Sequence, residues 1–275
     1  MEQKKKESVK TFLESSGESG REIPGVYRRK RKARKMKKLG VIGGLGPMAT
    51  VYFLQLITQM SDARTDQEHM EIILHSKPRI PDRTRFIIGE STENPMPRMV
   101  EVGEGLVRQG AEILAIPCIT AHYFQRELEA QIGIPVLNAI EETALYLQEA
   151  GISRAGILAT DGTIESNLFR RALEERQISC ITPSGRGQKH VMHLIYENVK
   201  AGLPVEMDRF RKVSEELREE GAQVILLACT ELSLIKRDYS LGEGYLDVLD
   251  VLARKAVGAC GHLKKEYDCL ITGQE

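Results

Sequence analysis

Two segments of this chain repeat one another without a gap, and no other feature restricts its fold as much. Gly110-Ala-Glu-Ile-Leu-Ala-Ile-Pro-Cys118-Ile-Thr120 aligns with Gly221-Ala-Gln-Val-Ile-Leu-Leu-Ala-Cys229-Thr-Glu231. Each begins at a glycine, the residue that most readily closes a helix C-terminus, and runs through an apolar stretch of strand length. Each then reaches a cysteine where the chain leaves the strand. One such unit cannot bury its own apolar face, so repetition implies two equivalent supersecondary units. A second echo, Leu39-Gly-Val-Ile-Gly-Gly44 against Ala155-Gly-Ile-Leu-Ala-Thr160, opens each half of the chain.

The surrounding texture fits an α/β protein. Short apolar runs predict strands over Leu39 to Gly43, Glu71 to His75, Glu112 to Pro117, Ile134 to Leu137, Ala155 to Ala159, Ile178 to Ile181 and Gln223 to Ala228, with a short one near Tyr245. Amphipathic stretches such as Met99 to Gln109, Glu141 to Glu149 and Asp208 to Glu220 predict crossover helices, closed by Gly110, Gly151 and Gly221. The 275 residues suffice for two such halves. The expectation is two pseudo-symmetric domains, residues 36–150 and 151–275, each a parallel-type sheet flanked by helices, with the chain end returning to the first half. Ligands of open parallel sheets collect at the carboxyl ends of the strands, so Cys118 and Cys229 are expected on opposite walls of the cleft between the halves.

Two identical acid/base groups on opposite faces of a substrate suit a reaction in which one removes a proton and the other delivers one. That is racemisation or epimerisation. It requires one thiolate and one thiol, and helices expected to begin at Ala121 and Glu231 would help to activate them. The bland reading is that cysteine is a small buried hydrophobe. It stands for Cys180, Cys260 and Cys269, whereas the repeat argues against it for Cys118 and Cys229. With five widely spaced cysteines and no CxxC pair, neither a disulfide framework nor a zinc site is expected.

Four motifs together resemble the cofactor-independent aspartate/glutamate racemase family, particularly its broad amino-acid racemase branch. They are Gly40-Val-Ile-Gly-Gly-Leu-Gly-Pro-Met-Ala-Thr50, Ile80-Pro-Asp-Arg-Thr84, Pro117-Cys-Ile-Thr-Ala-His122 and Ala228-Cys-Thr-Glu-Leu232, within a match from near Met36 to near Leu263. The resemblance implies two domains of like fold, a small amino acid in the cleft, no pyridoxal phosphate or metal, and a homodimer. It makes Cys118 and Cys229 the pair that interconverts L- and D-enantiomers. It gives Thr120 to the substrate carboxylate through its hydroxyl or backbone N–H, and Arg83 and Lys200 to a distal carboxylate. Leu45 becomes a contact residue of the cleft. For Arg83 a surface ion pair competes with that role, and for Lys200 a helix-dipole contact. Many relatives have Asn where this chain has Ile119, so substrate recognition is the point of departure. His122 and Glu231 are candidates for tuning the neighbouring thiols, against roles at helix termini or the surface.

Other readings compete. Gly44-Leu-Gly-Pro-Met-Ala49 fits a G-x-G-x-x-A dinucleotide fingerprint with Asp62 or Asp66 as the ribose ligand, but that would leave the cysteine repeat unexplained. A carboxylate isomerase or decarboxylase of the same superfold, or a non-catalytic amino-acid-binding protein, would also use the cleft. Thr160, Asp161 and Thr163 open a helix near it, as substrate ligands or simple caps. Residues 1–35 carry 12 Lys and Arg against five Glu, with a basic run from Arg28 to Lys35, and read as a solvated, disordered tail dispensable for activity. The whole chain has no net charge, so no nucleic-acid partner is expected. The N-terminus lacks an apolar signal region and no stretch would span a bilayer, which predicts a soluble, cytoplasmic protein.

Overall fold

The computed structural model describes residues 36–273. The expected tail, 1–35, lies outside the described residues. The chain runs β1 (Leu39–Gly43), α1 (Pro47–Met60), β2 (Ile72–Ser76), α2 (Arg83–Ile87), α3 (Met96–Arg108), β3 (Ile113–Ala115), α4 (Gln125–Ile132) and α5 (Ala139–Glu149). It continues with β4 (Arg154–Leu158), α6 (Asp161–Glu165), α7 (Leu168–Glu174), β5 (Ser179–Ile181), α8 (Gly185–His193), a π-helical segment (Leu194–Lys200), α9 (Met207–Glu219), β6 (Val224–Leu227), α10 (Thr230–Asp238), β7 (Tyr245–Asp247) and α11 (Val248–Cys260).

The repeat becomes topology. One sheet has the order β2-β1-β3 and the other β5-β4-β6-β7, and every ladder is parallel. In each sheet the first strand of its half is flanked by the next two. Gly40 and Gly156 hold equivalent positions on β1 and β4. A methyl group on Gly40 would lie 2.5 Å from Leu114 Cδ2 and 2.8 Å from Ala111 Cβ, and one on Gly156 3.0 Å from Leu217 Cδ1 and 3.1 Å from Ala222 Cβ. The Gly-Ala pair that opens each repeat is thus explained. Gly110 and Gly221 adopt positive φ (97° and 88°) to end α3 and α9, and the alanines pack beneath the central strands.

Successive strand residues serve different cores. Leu39, Val41, Ile113 and Ala115 of the first sheet and Ala155, Ile157, Val224 and Leu226 of the second belong to one continuous cluster, together with residues of α1, α5 and α11. Ile42, Leu114 and Leu106 face a second cluster, and Leu158, Ile225, Leu227 and Phe210 a third. A helical layer therefore lies between the two sheets and is shared by both, with α11 packed on α1 and α5. Both faces of each sheet are covered, which is why the strands are continuously apolar rather than alternating. After α11 the chain touches the first half, where Lys264 N–H donates to Met60 O at 2.9 Å, but residues near its end pair with the second half, Thr272 N–H donating to Tyr245 O and Gly244 N–H to Thr272 O, both at 2.9 Å.

Two expectations need correction, and the competing dinucleotide reading is not supported. Ile134 to Leu137 is not a strand but a single bridge, in which Leu114 N–H donates to Pro135 O and Leu137 N–H to Leu114 O, both at 2.8 Å. Pro135 has no N–H to extend the ladder. The turns after the cysteines begin at Ile119 and Thr230, earlier than Ala121 and Glu231, so that both cysteines are N-cap residues. The first turn, Ile119–Phe124, is a 3₁₀ helix. Finally, the glycine loop is closed on its own chain. Gly44 has φ 89°, and a Cβ there would meet Lys77 N at 2.6 Å and Pro78 N at 2.8 Å. Asp62 and Asp66 lie beyond α1, not at the end of β2, so the ribose contact of a dinucleotide site is not formed.

Candidate active site

The carboxyl ends of the two sheets converge on a small cavity of about 10 Å³, roughly the space of one water molecule. Its lining brings together Leu45, Arg83, Cys118, Ile119, Thr120, Lys200, Cys229 and Glu231, all singled out in the sequence. It also includes Asp82, Thr84, Thr160, Tyr196 and Thr230. Leu45, Asp82, Arg83, Lys200 and Glu231 line in addition a wider outer cavity of about 610 Å³.

Each cysteine sits in extended conformation at an N-cap, one at the start of a 3₁₀ turn and the other at the start of α10. The first N–H groups of each turn have no partner within their own helix and form a positive end facing the cavity. Cys118 and Cys229 are buried, and both are free thiols. They differ in their immediate charged neighbour. Arg83 is only 8% exposed and stands beside Cys118, so it is not part of a surface ion pair. Its guanidinium donates to Ile80 O (3.3 Å), Pro81 O (3.0 Å) and Leu45 O (3.3 Å), while Nε is buried with no hydrogen-bond partner. Burial opposes the charge on Arg83, but Cys118, Asp82 and Glu231 hold its pKa above the ordinary value.

The Cys229 thiol instead donates to Glu231 Oε2 at 2.9 Å. Burial first, and the Glu231 carboxylate second, push this thiol well above the usual cysteine range, against the pull of Lys200. Lys200 Nζ lies 3.9 Å from Glu231 Oε1 and 4.2 Å from the centre of the Tyr196 ring. Burial lowers the pKa of Lys200, yet Glu231 and Cys229 bring it out above the ordinary lysine value. Tyr196 and Lys200 both stem from the π-helical segment, a geometry concentrated at functional sites. Tyr196 was missed in the sequence because nothing but its place one turn before Lys200 marks it.

Thr120, Thr160 and Thr163 form a closed ring of hydroxyls across the cleft, with O···O distances of 3.0, 3.1 and 3.1 Å. Three hydroxyl protons supply its three edges. The Thr120 hydroxyl is therefore engaged, and its backbone N–H remains the route to a carboxylate. Thr160 also caps α6 by accepting from Thr163 N–H at 3.2 Å. His122 does not reach the thiol. Its Nδ1 lies 3.1 Å from Cys118 O, Nε2 is buried without a partner, and burial lowers its pKa. Among the described residues no group of three or more His, Cys, Asp or Glu is placed to hold a metal ion.

The Asp/Glu/hydantoin racemase profile matches residues 42–256, which include both cysteines and every residue lining the two cavities. The chain belongs to the Asp/Glu/hydantoin racemase family. Aspartate racemase from Picrophilus torridus superposes with a TM-score of 0.70 at 30% identity, over 84% of this chain and 97% of that one. The broad specificity amino-acid racemase RacX of Bacillus subtilis (strain 168) is 23% identical over 211 residues, 71% of this chain and 86% of that protein. Glutamate racemase from Francisella tularensis subsp. tularensis SCHU S4, solved with D-glutamate, shares the fold at a TM-score of 0.59 and 16% identity, with 82% of this chain and 81% of that one covered. As a racemase of this family the chain is an isomerase. No helix among the described residues is long and apolar enough to cross a membrane.

Proposed function

We propose that this racemase interconverts the enantiomers of a small amino acid by a two-thiol mechanism that needs no cofactor. The observation that carries the reading is the different setting of two equivalent thiols, Cys118 beside the Arg83 guanidinium and Cys229 hydrogen-bonded to the Glu231 carboxylate. For one enantiomer Cys118 is the base and Cys229, whose thiol donates to Glu231, is the acid. Cys118 takes the Cα proton from one face and Cys229 delivers its own proton to the other, which inverts the centre. The opposite enantiomer runs the sequence in reverse, with Cys229 as the base. Thr120 and Thr230 N–H groups, at the two helix starts, receive the α-carboxylate and stabilise the negative charge that develops on it.

An inner cavity of about 10 Å³ holds no amino acid, so residues 36–150 and 151–275 separate to admit substrate and close upon it. A homodimer and a cytoplasmic setting complete the proposal, supported by the family resemblance and by the free thiols. The test is solvent deuterium entry at Cα together with loss of optical rotation, measured without added cofactor for each enantiomer. Cys118→Ser and Cys229→Ser are each expected to lose racemisation by about 10³-fold or more, since each removes one proton carrier. Full racemisation by either variant would sink the two-thiol assignment. Binding without exchange would favour the amino-acid-binding alternative, and loss of the carboxylate the decarboxylase.

A further inference from the structure

The outer cavity bears on which side chain the substrate carries. It shares Leu45, Asp82, Arg83, Lys200 and Glu231 with the catalytic pocket and measures about 610 Å³. Once the α-carboxylate and Cα are held between the cysteines, the side chain is the part of the substrate that can enter it. Its wall beyond those shared residues is mainly apolar, formed by Met48 and Ile80 with Val199 and Leu234. The two cations at the boundary already have partners, apart from the buried Arg83 Nε. The Arg83 guanidinium is spread over three main-chain carbonyls, and Lys200 stands 3.9 Å from Glu231 and over the Tyr196 ring. A second carboxylate on the substrate would meet Asp82 and Glu231 as well as Lys200, beside a mainly apolar wall. Ile119, buried in the pocket, presents no polar group either.

Resting on the racemase reading above, we infer that the preferred substrates are amino acids with a long, uncharged, unbranched side chain rather than aspartate or glutamate. The outer cavity is the side-chain site, and Met48 at its rim is a specificity-determining residue. Each methylene buried there raises kcat/KM by about threefold to fourfold, the factor that corresponds to burial of one CH₂.

The experiment measures Cα deuterium exchange by the full chain across alanine, 2-aminobutyrate, norvaline and norleucine, beside aspartate and glutamate. The expected result is a stepwise rise along the series, with norleucine exceeding both acidic substrates. A flat or falling series, or a greater kcat/KM for aspartate or glutamate than for norleucine, overturns the inference and leaves the racemase reading standing. Exchange with none of the six overturns both. Met48 is 54% exposed, so Met48→Arg is compatible with the fold. It is expected to shift the norleucine-to-glutamate ratio of kcat/KM toward glutamate by about twofold to fivefold, the scale of an exposed charge contact. A change that leaves this ratio untouched counts against the side-chain site.

Discussion

Behind Cys229, α10 is anchored by a buried ionic group that the chemistry does not use. Ser233 Oγ–H donates to Asp247 Oδ1 at 2.7 Å, as does Leu249 N–H at 2.9 Å. Lys236 Nζ touches Asp250 Oδ2 and lies 3.7 Å from Asp247 Oδ2. One cation thus faces two carboxylates, with Tyr52 and Arg237 at the margin. Burial, and then the charge of Asp247, push Asp250 up to about 7 in spite of Lys236, and burial with the same acids pushes Tyr52 up to about 12. The sign follows from linkage. Asp250 keeps its proton in the folded state to a higher pH than in the unfolded chain, where an aspartate titrates near 3.9. Stability therefore falls as pH rises from about 4 to about 7 and is not further reduced by this group above that. At about 1.4 kcal/mol per pH unit the loss reaches about 4 kcal/mol. Asp250→Asn keeps the shape and the neutral state. Urea unfolding of both proteins at pH 5, 6, 7 and 8 should show similar stability at pH 5 and a variant more stable by about 2–4 kcal/mol at pH 8. Taking the difference between the two proteins cancels the titration of groups remote from the cluster. A variant destabilised at pH 8 by about 3 kcal/mol or more, as loss of an ordinary buried ion pair would produce, refutes the reasoning.

Two further predictions concern the site itself. Glu231→Gln removes the carboxylate that raises Cys229, so its thiol ionises at lower pH and the alkaline limb of kcat/KM moves down for the enantiomer that Cys229 protonates. An unmoved limb in a folded variant would remove Glu231 from this role. Gly162→Ala places a Cβ 2.9 Å from Thr84 Cα and 3.4 Å from Thr120 Cγ2, where α6 packs on α2 across the cleft. Because a backbone atom cannot swing aside, the expected loss is about 1–3 kcal/mol in thermal stability. The displaced threonines should lower kcat/KM by about tenfold, and unchanged melting with unchanged kinetics would show the contact to be slack.

The elements most legible in the sequence are those punctuated locally. β1 was expected over its observed range, and β2, β4, β5 and β6 lie within a residue or so of expectation. β3 is shorter than its apolar run because Ile116 and Pro117 lie past the last paired residue. The candidate site was legible to the same degree, as motifs at the ends of strands. Thr84 and Tyr196 escaped, because nothing local distinguishes a threonine or tyrosine that faces a ligand from one that faces a neighbour.

What can be read along the chain is therefore the alternation of strands and helices, the twofold repeat, and the place of a cysteine at the end of each central segment. These follow from short-range periodicity and from glycines whose backbone geometry is set within a few residues. The partners of those groups are decided only when remote elements meet. Arg83 could read as a surface cation, but the loop after β1 and the Ile80-Pro81 turn bury it beside Cys118. His122 sits close to Cys118 in sequence, yet its ring is turned to a backbone carbonyl. The shared helical layer and the lysine between two aspartates likewise depend on which faces pack. Desolvation and charge act through space, and so the chemistry of each thiol is a property of the assembled cleft rather than of the motif that carries it.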